Sequence, residues 1–207
     1  MPETIYLATE DVLSEAILKR ILFDKFRHTE ICTNLPKPQA NLGGFGAIKR
    51  NLSKYVSAAK NDVYHIILTD LDKYACAPSL LNDWKVDQPL PDKLLFRIAV
   101  REVESWLLAD RENIANYLQV ASARVQRNPE ELDDPKGHLI SLASSSRSRK
   151  IREGMCPIRG NYSPMGPDYN PILCNFVMAN WDYSTAAINA PSLQRMLNRI
   201  DEVTHLW

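Results

Sequence analysis

The sequence predicts an α/β fold, a mainly parallel four-stranded sheet flanked by helices, with a helical extension at the C-terminal end. Two observations predict it. Over residues 1–120, short runs of strand formers alternate with segments whose apolar residues recur at helical spacing, an order that implies parallel pairing. The run Val63-Tyr64-His65-Ile66-Ile67-Leu68-Thr69 is nearly all apolar, as a strand covered by helices on both faces is.

The first strand is Thr4-Ile5-Tyr6-Leu7-Ala8, ended abruptly by Thr9-Glu10-Asp11. Ser14 is placed to cap a helix, along which Leu13, Ile17, Leu18, Ile21 and Leu22 fall on one side. Glu30 to Leu35 is a second short strand. Pro36 to Gly46 is punctuation, and a helix from about Ile48 to Ala59 leads to Asn61-Asp62. The apolar third strand ends in Asp70-Leu71-Asp72. Lys93 to Val100 is the fourth strand, and Arg101 to Leu118 is a helix with Val103, Trp106, Leu107, Ile114 and Leu118 on one face. Residues 121–207 are expected to form an irregular basic loop followed by helices near Ile172 to Asn180 and Ser192 to Val203, packed on the core.

The chain has 207 residues, 45% hydrophobic and 24% charged, enough to bury a core without staples. Twenty-five basic and 25 acidic residues cancel, so only local patches can speak for a nucleic-acid partner. Cys32, Cys76, Cys156 and Cys174 lack zinc-site spacing and are expected as reduced thiols. The sequence lacks a basic leader and an apolar stretch long enough for a bilayer, so a soluble cytoplasmic protein is expected.

Chemistry concentrates at strand ends. Ligands of open parallel sheets bind beyond the carboxyl ends of the strands, where Glu10, Asp70 and Asp72 fall. If the third strand stays extended through Asp72, both aspartates point the same way, whereas a helix would set them about 200° apart. Carboxylates without imidazole or thiolate partners suit Mg²⁺ (or Mn²⁺), a hard cation that keeps waters for a phosphate to replace. Such acids also repel one another unless a cation joins them. The plainer reading of Asp-x-Asp is a solvated turn or a helix cap.

Ile5-Tyr6-Leu7-Ala8-Thr9-Glu10, the helix from Ser14-Glu15, and Leu68-Thr69-Asp70-Leu71-Asp72 together resemble the TOPRIM superfamily. That resemblance implies a Glu and an Asp-x-Asp holding Mg²⁺ for phosphoryl transfer, as in overcoming-lysogenization-defect nucleases. Arg101-Glu102-Val103-Glu104-Ser105-Trp106-Leu107-Leu108-Ala109-Asp110 resembles a helix of small stand-alone TOPRIM-like proteins of unknown function (DUF4276-like). Several of those stand beside ATPases in phage-defence loci, which implies an ABC- or AAA-type ATPase partner. Many superfamily members carry Gly where this chain has Asp11.

Glu102 and Glu104 are further candidate ligands, with Glu104 ahead on the family likeness. In a regular helix they lie on opposite sides; near a strand-to-helix junction both can face a metal. The alternative is an acid favoured at a helix N-terminus. Arg147, Arg149, Lys150 and Arg152, in a Ser-rich setting, can neutralise nucleic-acid phosphates or simply decorate a solvated loop. Gly43-Gly44-Phe45-Gly46 lacks the Lys-Ser/Thr of a phosphate loop. The expected function is a Mg²⁺-dependent nuclease acting on DNA or RNA in antiphage defence, with Glu10, Asp70, Asp72 and Glu104 catalytic. The alternative is a catalytically inactive TOPRIM-like subunit that binds an ATPase or nucleic acid.

Overall fold

The computed structural model describes residues 2–33, 45–86, 89–160 and 162–204. Contacts divide it into two units, Met1–Val100 with Arg195–Trp207, and Arg101–Gln194. The change from sheet to helices therefore falls after Val100, earlier than position 120.

The first unit runs β1 (Thr4–Thr9), α1 (Val12–Lys25), β2 (Glu30–Thr33), α2 (Phe45–Lys60), β3 (Tyr64–Asp70), α3 (Ala77–Asp83) and β4 (Leu94–Ala99). The strands form one sheet in the order β2-β1-β3-β4, and every pairing is parallel. From β1 the chain steps outward to β2, then crosses back to β3 and on to β4. Right-handed crossovers in opposite directions put helices on opposite faces. Accordingly Ile48, Leu52, Tyr55 and Ala59 of α2 and Leu80 of α3 share a core with Ala8, Ile67, Leu94 and Phe96. Ile5, Leu7, Ile66 and Leu68 alternate with that set and point to the other face. There α1 packs on β1 and β2 and buries Leu13, Ile17, Leu18, Ile21 and Leu22 completely.

Asp11, and not Ser14, caps α1: its carboxylate accepts the Ser14 N–H at 2.8 Å. A short acceptor at that position satisfies an N–H that the helix leaves open. The second strand ends at Thr33; Asn34 and Leu35 lie outside the described residues, as do Gly43 and Gly44.

The second unit is built from helices, without a strand among the described residues: α4 (Glu104–Ala109), α5 (Arg111–Leu118), α6 (Pro135–Ser144), α7 (Arg149–Met155), α8 (Tyr169–Ala179), α9 (Tyr183–Asn189) and α10 (Pro191–Thr204). From Arg195 onward α10 belongs to the first unit. The single helix expected over Arg101 to Leu118 is two. It breaks at Asp110, whose buried carboxylate accepts the Asp182 N–H at 2.8 Å and the Asn113 amide. Burial raises that carboxyl above its ordinary pKa. An acid accepting hydrogen bonds from outside its own helix ends one helix and starts the next.

The expected basic loop is also a correction. Its serines cap and turn the chain instead of loosening it: Ser148 accepts the Ile151 N–H at the start of α7, and Ser144 and Ser145 donate to Ser141 O and Leu142 O. The segment before α8 is tied to α7 by Gly166 N–H to Met155 O and Asp168 N–H to Gly154 O, both 2.9 Å. A Cβ at Gly166 would lie 2.3 Å from the Gly154 carbonyl oxygen, so only glycine fits that approach. Among the described residues, no helix is long and apolar enough to cross a membrane.

Candidate functional site

The sheet order fixes where a ligand can enter. The direction in which strands are added across the sheet reverses between β1 and β3, which makes their carboxyl ends the topological switch point where open parallel sheets bind ligands. The register pairs Thr9 with Leu68, which brings Glu10 beside Thr69. The Glu10 carboxylate accepts the Thr69 hydroxyl and the Asp70 N–H, the latter at 3.3 Å. Glu10 thus reaches across from the end of β1 to the end of β3. Sixty residues of chain separate Glu10 from Asp70, and parallel pairing closes that gap.

Asp70 is the last residue of β3 and is 9% exposed. Leu71 adds one more ladder bond, to Ala99 O, and packs into the α2–α3 core. Asp72 then leaves the strand with φ 49°, exposed in a turn. The expected extended Asp-Leu-Asp is therefore corrected: side-chain alternation ends at Leu71, and the left-handed backbone at Asp72 sets its direction. Asp tolerates that conformation better than most residues because its short side chain bonds locally.

Burial raises the Glu10 carboxyl to about 7, and the charges of Asp72 and Asp11 add to the rise, against the lowering effect of Thr69 and Asp70. A folded-state pKa above the unfolded value means the folded chain binds more protons between pH about 4.5 and about 7. Stability is accordingly expected to fall as pH rises through that window, by on the order of 2–3 kcal/mol at full ionisation. Urea unfolding at several pH values checks this, and Glu10→Gln should flatten the profile. An identical slope in that variant would assign the effect to other groups.

Among the described residues, no group of three or more His, Cys, Asp or Glu side chains is arranged to hold a metal ion. The donor set at β1 and β3 nonetheless suits Mg²⁺ chemically. It consists of hard carboxylate oxygens whose mutual repulsion a cation relieves, and Mg²⁺ commonly uses one or two carboxylates and keeps several waters.

Glu102 and Glu104 belong to the second unit and share one cation there. Glu102 precedes α4 in non-helical chain and accepts the Lys136 N–H at 3.0 Å, which covers the first turn of α6 beside the Asp134 cap. Glu104 is 1% exposed and accepts the Tyr169 hydroxyl at 3.1 Å. The Lys136 ammonium stands 3.8 Å from Glu102 and 3.5 Å from Glu104. A buried carboxylate needs such a partner, and these contacts already supply one. Sequence spacing could not show the contacts of Lys136 and Tyr169 with Glu104, because these depend on how α6 and α8 pack.

Of the basic candidates, Arg147, Arg149 and Lys150 are exposed. Arg149 pairs with Glu153 at 2.8 Å, and Arg152 donates to Ser146 O at 2.5 Å, which turns it to local structure. Lys150 lines a cleft of about 490 Å³ with Tyr117, Gln119, Asp168 and Asn175. His65 is a core residue between Tyr6 and Tyr55, and burial lowers its pKa.

These features define a class, a doubly wound parallel α/β protein with Glu10 and Asp70 at its topological switch point. The chain belongs to the DUF4276 family, a domain of unknown function, whose family model matches residues 8–201. No curated protein and no solved structure matches the chain.

Proposed function

We propose that the protein is a Mg²⁺-dependent nuclease whose working groups sit at the carboxyl ends of β1 and β3. The observation that carries this reading is the Glu10 carboxylate reaching Thr69 and Asp70 at the switch point, within the field of Asp72. Glu10, Asp70 and Asp72 would hold the ion. A bound Mg²⁺ supplies Lewis-acid polarisation of a phosphoryl oxygen and a more acidic water. Thr69 and the Asp70 N–H orient the Glu10 carboxylate. With a pKa of about 7 in the absence of the ion, the Glu10 carboxyl must release its proton before it can hold Mg²⁺, so ion and proton compete for it near neutral pH. Exposed Arg147 and Lys150 would neutralise backbone phosphates. The likeness to TOPRIM nucleases supports the reading, and to it belong the ATPase partner and the role in antiphage defence.

A second reading, a TOPRIM-shaped binding subunit without hydrolysis, is favoured by one observation: among the described residues no three ligand-type side chains are arranged around a common point. Calorimetric titration with Mg²⁺ and Mn²⁺ separates the two. The nuclease reading expects micromolar to millimolar binding, strengthening from pH 6 to pH 8 as Glu10 ionises and lost in Glu10→Gln. Absence of binding, together with absence of cleavage, would leave the binding subunit.

A further inference from the structure

Arg97 of β4 sits in an unusual electrostatic setting. Leu94 and Phe96 face the α2–α3 core, so alternation turns Arg97 to the opposite face of the sheet. There its neighbours in charge are Arg195, Arg199 and Glu202 of α10, all within the first unit. Arg195 and Arg199 are one helical turn apart and share a face. Glu202 is the one acid of this group, and it is paired with Arg199 at 2.7 Å. Asp201, also near the end of α10, is paired with Lys25 at 2.5 Å. Two positive charges therefore remain uncompensated among these four groups.

The Arg97 guanidinium is also partly withdrawn from water. Its buried Nε–H meets no acceptor among the described residues. A buried donor left without an acceptor costs free energy, and like charges nearby add to the cost. An oxyanion relieves both: it accepts from the guanidinium fork and neutralises the surplus charge. Arginine at a fixed site on a strand, with an unsatisfied buried Nε–H and two further positive charges from one helix face acting on it, is suited to phosphate.

We propose, resting on the nucleic-acid reading above, that Arg97, Arg195 and Arg199 form a phosphate-binding site that holds the backbone of a single-stranded nucleic acid. The site is separate from the Glu10 cluster: Arg97 pairs in register with Leu68, inside the sheet rather than at its end.

The experiment uses the full chain and fluorescein-labelled oligothymidylate and oligouridylate, followed by anisotropy over a range of salt. Arg195→Gln/Arg199→Gln is expected to weaken binding by roughly tenfold or more at low salt and to reduce the salt slope by about 1.4. Arg97→Lys keeps the charge but loses the fork, and should weaken binding by a smaller factor. Circular dichroism of each variant verifies the fold. Titrations in excess EDTA keep divalent ions off the acidic site, so binding measured there reports this site by itself. Wild-type affinity and slope in the double variant would overturn the proposal. So would binding of inorganic phosphate without binding of either oligonucleotide.

Discussion

Asp72→Asn is expected to lower Mg²⁺-dependent cleavage of a labelled oligonucleotide by roughly a hundredfold or more, because it removes a full charge from the proposed ion site. The fold should hardly notice. Asp72 is exposed with φ 49°, a backbone that Asn also adopts, and surface exchanges of this kind stay within about 0.5 kcal/mol. The same substitution carries a second readout. Since the Asp72 charge helps raise Glu10 to about 7, its loss should move the Glu10 titration downward in carboxylate-resolved NMR. Full cleavage by Asp72→Asn would remove the nuclease reading. An unmoved Glu10 titration would remove the electrostatic link between the two ends.

Trp106→Ala should be the most damaging single change in the helical unit, costing about 4 kcal/mol in urea unfolding. The indole is fully buried, donates its N–H to Ser192 Oγ at 2.7 Å, and its backbone carbonyl accepts from Trp181 Nε1 at 3.3 Å. Ser192 in turn donates to Glu130 at 2.6 Å, and its N–H reaches the same oxygen at 2.9 Å. Truncation opens a cavity and takes away one member of a buried polar chain that also closes the start of α10. Trp106→Phe should recover most of the packing and none of the hydrogen bond, by which the two contributions separate. A cost below about 1 kcal/mol for the alanine variant would mean that neighbours refill the space.

Local signals carried the sheet unit well and the helical unit less so. The apolar run at Val63 to Thr69 is β3, with one residue lost at its start and one gained at its end. The stripe Leu13, Ile17, Leu18, Ile21 and Leu22 is the buried face of α1. Both follow from periodicity, which reports burial within a single element. Asp11 was legible as a cap only after the helix start was known, since Ser14 is the same kind of residue three positions on. The break at Asp110 left no trace in the apolar spacing, because its cause is a hydrogen bond from Asp182, 72 residues away. Serines 144 to 148 look like a flexible tract by composition, yet their hydroxyls are spent on neighbouring backbone groups.

The sequence by itself determined that four strands alternate with helices and that Glu10 and Asp70 stand at strand ends, because alternation and abrupt polar stops are local properties of the chain. Only the tertiary structure decided that β1 and β3 are neighbours, which carries Glu10 to Thr69 and Asp70. It alone turned Asp72 out of the strand, tied Glu102 and Glu104 to Lys136, and set Arg97 of β4 within the field of Arg195 and Arg199. The reason is physical: strand order and helix docking come from long-range burial and crossover handedness, and neither is written in the spacing of any one segment.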